Sequence, residues 1–187
     1  MKLLLIALLT LTLAACQTDA KLPVSSPYFQ IPVGSRLVLN QPIEIPPTYA
    51  TVRLQFGKIV SRFHTQDFEP VCVFESNLVG EAAQRIEPDS FEIIRVRIGS
   101  STLSAQVAPQ PGLIKVFSWR DGGGSSRQYY KTELFLRSAK QPQILAMTCQ
   151  HAGEEGYALT ELNPLTVAEI QQALGAYFTL QLAGIDQ

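Results

Sequence analysis

The sequence predicts a mainly β domain, an antiparallel sandwich or small barrel, completed by one C-terminal helix. Short runs with an apolar residue at every second position recur along the chain, the period of a half-buried strand. Glycine, proline and serine clusters punctuate these runs as turns would. Near the C-terminus the spacing changes to threes and fours, the period of a helix.

Taken in order, 36–39 places Leu37 and Leu39 on one face. Ile43 and Ile45 resume that parity after Pro42, which suits an edge strand. In 51–61, Val52, Leu54 and Phe56 face one way and Arg53 and Gln55 the other, with a bend at Gly57. A short strand, 71–75, carries Cys72. In 91–98 the apolar parity slips: Phe91 and Ile93 share one face, and Ile94, Val96 and Ile98 the other. One extra residue restores the face, so a β-bulge is expected at Ile93-Ile94, with Arg95 and Arg97 on the wetter side. Residues 113–119 and 128–137 flank a glycine-rich tip, 120–127, and read as a hairpin. The last strand, 143–149, brings Cys149 near its end. The helix is expected over 165–179. Thr166 and Glu169 form its capping box, and Val167, Ile170, Leu174, Tyr177 and Phe178 its apolar face.

The first residues have a different character. Lys2 precedes an apolar run, 3–15, well short of the ~20 residues a membrane-spanning helix needs. A basic start, a short apolar core and small residues at its end describe a secretory signal peptide. Its end, Leu13-Ala14-Ala15-Cys16, resembles the bacterial lipobox. That resemblance implies cleavage before Cys16, acylation of the cysteine (palmitate among the expected chains) and anchorage in the cell envelope. Gln17, where aspartate would retain such a protein in the inner membrane, implies the outer membrane, with the domain facing the periplasm. The expected organisation is signal peptide 1–15, lipidated tether 16–34 and β-rich domain 35–187. Pro23, Pro27 and Pro32 keep the tether extended, and Tyr28, Phe29 and Ile31 mark where it first meets the domain. With Cys16 acylated, Cys72 and Cys149 remain, 77 residues apart. An even pair in an exported chain predicts a disulfide.

The chain has 15 basic and 16 acidic side chains. This balance excludes the basic excess of a nucleic-acid-binding protein and leaves membrane attachment to the lipid. Several motifs come close to chemistry and fall short. The tip Gly122-Gly123-Gly124-Ser125-Ser126 lacks the Gly-Lys-Ser/Thr and the helix of a phosphate loop. Met147, Cys149 and His151 alternate on one strand face with ligand types copper accepts, but one strand supplies too few ligands and the disulfide competes for Cys149. His64 and Asp67 could orient a base, but no Gly-x-Ser-x-Gly elbow accompanies them. Glu154 and Glu155 lie between glycines on a loop, where nothing desolvates them. No catalytic residue, metal site or cofactor is assigned.

Arg53, Arg62, Arg95 and Arg97 could gather on the outer face of neighbouring strands and meet an anionic glycan, headgroup or acidic partner. The candidate contacts with a partner are Arg95, Arg97, Trp119 and Arg127. Beyond the lipobox, Leu54-Gln55-Phe56-Gly57, Pro70-Val71-Cys72-Val73-Phe74-Glu75 and Ile86-Glu87-Pro88-Asp89-Ser90-Phe91 resemble segments of Gram-negative envelope lipoproteins. That likeness implies an address and no activity. The expectation is a non-enzymatic binding or structural module on the outer membrane, its partner an envelope protein or glycan. A periplasmic hydrolase of cell-wall or glycan material, using His64 or His151, and a small-ligand or metal carrier are the alternatives.

Overall fold

The computed structural model describes residues 22–104, 126–153 and 163–185. The strands are β1 (Arg36–Leu39), β2 (Ile43–Ile45), β3 (Thr51–Gln55), β4 (Lys58–Val60), β5 (Val71–Ser76), β6 (Gln84–Ile86), β7 (Asp89–Ser104), β8 (Ser126–Arg137), β9 (Ile144–Ala152) and β10 (Phe178–Gln181). A 3-10 turn, Arg62–His64, follows β4, and one α-helix, α1 (Val167–Leu174), precedes β10. Eight strands form a single antiparallel sheet in the order β10-β1-β7-β8-β9-β5-β3-β4, while β2 and β6 pair separately.

Of the two predicted architectures, the barrel-like one is correct: the large sheet curls into a half-barrel. Its curvature can be read from three rings. Phe74 on β5 lies 5.0 Å from Phe178 on β10 and 5.7 Å from Phe91 on β7, measured between centroids. β10 and β5 are five strand positions apart, about 24 Å if the sheet were flat. The concave side is filled by these rings together with Leu37, Leu54, Ile93 and Leu134, all fully buried. Ile43, Ile45 and Ile86 from the small sheet join the same core. The segment expected to be a tether meets the fold earlier than expected: Val24 already packs against the core, ahead of Phe29 and buried Ile31.

The expected bulge is present. Ile93 pairs with Leu136 and Arg95 with Phe135, so Ile94 has no partner on β8 and points outward. Val96 and Ile98 thereby return to the inner side, half-buried. Two expectations need correction. The strand that pairs along 126–137 is β7, not 113–119, and β9 occupies the other edge of β8. With both edges taken, β8 has none left for the expected hairpin; 105–125 lie outside the described residues. The helix also ends five residues early. Gly175 takes a positive φ of 57° with ψ −138°, a combination essentially open only to glycine, and its N–H donates to Gln171 O at 2.9 Å, ending α1. Phe178 therefore belongs to β10 and Tyr177 to the turn before it. The capping box is as expected, with Thr166 Oγ1 accepting from the Glu169 N–H and the Glu169 carboxylate from the Thr166 N–H.

α1 ties the two ends of the curl together. It packs on β10 at one end and on β3 and β5 at the other. Its Gln171 side chain donates to Phe178 O at 2.7 Å and accepts from the Leu180 N–H at 2.9 Å. At the opposite end, Phe56 and Gly57 form the two-residue loop joining β3 to β4. Both have positive φ, as this tight antiparallel loop requires. The Gly57 N–H donates to Ala173 O at 3.1 Å. The backbones then come so close that a Cβ on Gly175 would lie 2.2 Å from Gly57 Cα. Cys72 and Cys149 face each other across β5 and β9 and form the predicted disulfide, fully buried. Closing a 77-residue separation contributes about 4 kcal/mol on a chain-entropy basis.

Gly175→Ala is expected to cost about 2–5 kcal/mol in urea unfolding, combining a Cβ in a backbone region essentially confined to glycine with forced separation from Gly57. Gly184→Ala, at φ 70° with open space around it, should cost only about 1–2 kcal/mol. Equal costs would show that the glycine contact is not tight.

Candidate functional site

The β3–β4 end of the sheet carries the most exposed large apolar side chain among the described residues, Phe63, at 90%. Its position follows from one buried amide. Gln55, at the end of β3, is expected by parity to face solvent, yet it is buried. Its Nε2 donates to Gln66 O at 2.8 Å, and its Oε1 accepts from the Gln66 N–H at 2.9 Å. The Asp67 carbonyl further accepts from the Ala152 N–H at 2.7 Å. The segment 61–70 is thus pinned to the sheet from two sides, and the 3-10 turn holds Arg62 and Phe63 out from it.

A groove of about 400 Å³ runs between β2 and β4. Tyr49, Ile59 and Phe63 line it as apolar walls, all exposed, with Glu44 on the β2 side and Arg53 and Arg62 on the other. Ile59 lies opposite Leu54 on β4, the last strand at this side of the sheet among the described residues, and its side chain is exposed. Partial burial lowers the pKa of Arg53, and the nearby charge of Arg62 lowers it further against the opposing effect of Asp67. The partly buried Arg53 and the exposed Arg62 repel one another, which favours an anionic group between them. Scattered exposed apolar residues are ordinary, but an apolar groove with convergent polar groups is the form of a binding site.

The four arginines named from the sequence therefore fall into two groups. Arg53 and Arg62 face this groove. Arg95 and Arg97 lie on β7, separated from β3 by β8, β9 and β5 in the sheet. The Arg95 guanidinium sits 3.7 Å from the centre of the Phe135 ring, and Arg97 lies 5.5 Å from it. Arg97 also pairs with Glu133, whose hydrogen bond and charge raise the arginine pKa; the same contact lowers that of the glutamate. Both arginines make these contacts while remaining exposed on the outer face of the sheet. Arg127 is placed only by its backbone, opposite Leu103. Cys16, Trp119, Glu154 and Glu155 lie outside the described residues.

The remaining candidates resolve into structural roles. Cys149 is oxidised, so the thiolate that a copper site on β9 would need is consumed by the disulfide; Met147 is core. His151 Nε2 lies 2.8 Å from Asn163 O. His64 Nδ1 lies 2.6 Å from Ser61 Oγ. This bond closes a single turn in which both residues are exposed, without the enclosure a hydrolytic pair requires. Asp89 is a carboxylate that sequence reading passed over. It accepts from Ser138 Oγ at 2.5 Å, the Ser90 N–H at 2.8 Å and Gln141 Nε2 at 3.2 Å. Burial raises its pKa, but these bonds and the charge of Lys140 outweigh it and hold the group below the usual carboxylate range. It fastens the start of β7 to the β8–β9 turn. Among the described residues, no three His, Cys, Asp or Glu side chains are grouped to hold a metal ion.

No protein-family model, curated protein or solved structure matches the chain.

A carboxylate with a depressed folded pKa stabilises above its unfolded value and loses that contribution as pH falls through the folded one. Asp89→Asn should therefore be less stable than the parent at pH 7, and the difference should shrink below about pH 4. Urea titrations from pH 7 to pH 2 check this; a difference that does not change with pH would remove Asp89 from the acid response.

Proposed function

We propose that this chain is an envelope lipoprotein, acylated on Cys16 and held on the periplasmic side of the outer membrane, whose domain is a non-enzymatic binding module. The groove between β2 and β4 is its docking site. The ligand is an extended segment of another envelope protein that offers an apolar side chain beside a carboxylate. The observation that carries this reading is the pairing of Arg53 and Arg62 with the exposed ring of Phe63 along one groove. The buried disulfide supports an exported, oxidising location.

The anchor is tested by metabolic labelling with an alkyne fatty acid. Label should appear on the native chain and vanish in Cys16→Ala; label on neither refutes the anchor. The groove is tested by selecting displayed peptides on the purified chain. Selection should enrich apolar-acidic sequences. Phe63→Ala should weaken them about tenfold or more, the loss expected for an aromatic anchor, without changing thermal stability. Arg62→Glu should shift the preference toward basic sequences. Enrichment that ignores both substitutions, or binding of anionic glycan fragments in place of peptides, contradicts the proposed ligand.

A further inference from the structure

A second surface, at the tether, has the opposite chemistry. A basin of about 810 Å³ lies between the segment 22–33, the inner side of β7 and the residues after β10. Among the described residues, none that lines it carries a charge. Leu22, Tyr28 and Val33 stand exposed around it, Val33 at 63%. The Tyr28 hydroxyl donates to Asn163 Oδ1 at 2.7 Å, which fixes the ring at the rim. Val96 and Ile98, returned inward by the bulge on β7, help form the floor.

We propose that this basin and its rim form a membrane-docking face that rests on the bilayer to which the chain is anchored. The proposal depends on the reading of Cys16 as the lipidated residue. Leu22 is the sixth residue after Cys16, so the intervening chain spans at most about 20 Å. Whatever conformation that chain takes, the Leu22 rim stays within that distance of the acylated cysteine. A face without charged side chains among its described lining residues, and with a tyrosine at its edge, suits the interfacial region of a bilayer, where polar and apolar groups meet, tyrosine is enriched and buried charge is costly. The groove between β2 and β4 carries Glu44, Arg53 and Arg62 and suits a protein ligand instead. The lipid thus holds the domain near the membrane, and the basin sets which face is turned toward it.

The test uses the mature, acylated full chain in vesicles of phosphatidylethanolamine and phosphatidylglycerol. Val33→Trp adds an indole fluorophore at an exposed rim position, and its emission is taken as the difference from the parent. An interfacial face sits about 5–10 Å into the headgroup–acyl boundary. Lipids brominated near the top of the acyl chain should therefore quench this emission, and aqueous iodide should lose access to it. Adding Leu22→Glu should abolish the quenching while the protein still floats with the vesicles. A chain that floats but leaves the added indole open to iodide overturns the docking face and leaves the anchor intact. An added indole shielded from iodide yet unquenched by brominated lipid overturns it too, because the chain's own acyl group would then fill the basin. A chain that does not float refutes the anchor, and the docking face falls with it.

Discussion

An antiparallel sheet that curls on itself leaves two ends to reconcile, and here the closure rests on α1 between β10 and the β3–β4 turn. The sheet cannot bury Phe74, Phe91 and Phe178 together unless β10 comes round toward β5. α1 holds that approach on both sides. Gln171 bonds the backbone of β10, and the Ala173 carbonyl accepts from Gly57. The capping box starts the helix and Gly175 stops it after two turns, short enough to fit the gap. Gln171 also covers backbone groups of β10 that would otherwise sit unpaired at a sheet edge.

The local parts of this design were readable because each has a local cause. Alternation set Leu37 and Leu39 inward, and the slipped parity between Phe91 and Val96 marked the bulge. Thr166 and Glu169 are neighbours on one helical turn, so the start of the helix is written in four residues. Cys72 and Cys149, an even pair once Cys16 is set aside, implied the disulfide, and the opposed positions on β5 and β9 realise it. What could not be read depends on contacts distant in sequence. Gly175 stops the helix, but Tyr177 and Phe178 continue its apolar spacing; they reach the core as turn and strand because β1 offers an edge at Leu39. Pairing of β7 with β8 across the long connection displaces the shorter hairpin that the glycine tip suggested.

The site was only half legible for the same reason. Arg53 and Arg62 were identifiable as outward-facing cations, but sequence offers no means of telling which arginines share a surface. Arg95 and Arg97 had the same local pattern and lie on a different part of the sheet, exposed beside Phe135 and Glu133. Phe63 lies in a polar stretch and carries no periodic signal, and its exposure depends on Gln55, whose amide holds 61–70 in place. A buried polar side chain that satisfies loop backbone breaks strand parity, and it is this break that shapes the groove.

The central structural claim is that α1, β10 and the β3–β4 turn close the sheet as one unit with its core strands. Native-state hydrogen exchange on the oxidised chain measures this most directly. The amides of Gly57, Gly175 and Leu180 are expected to open with the same free energy as those of β5 and β9, in a single cooperative transition. Exchange of Gly175 and Leu180 at a far lower free energy, with β5 and β9 still protected, would show that the helix and β10 are an appendage and that the sheet holds its curl without them.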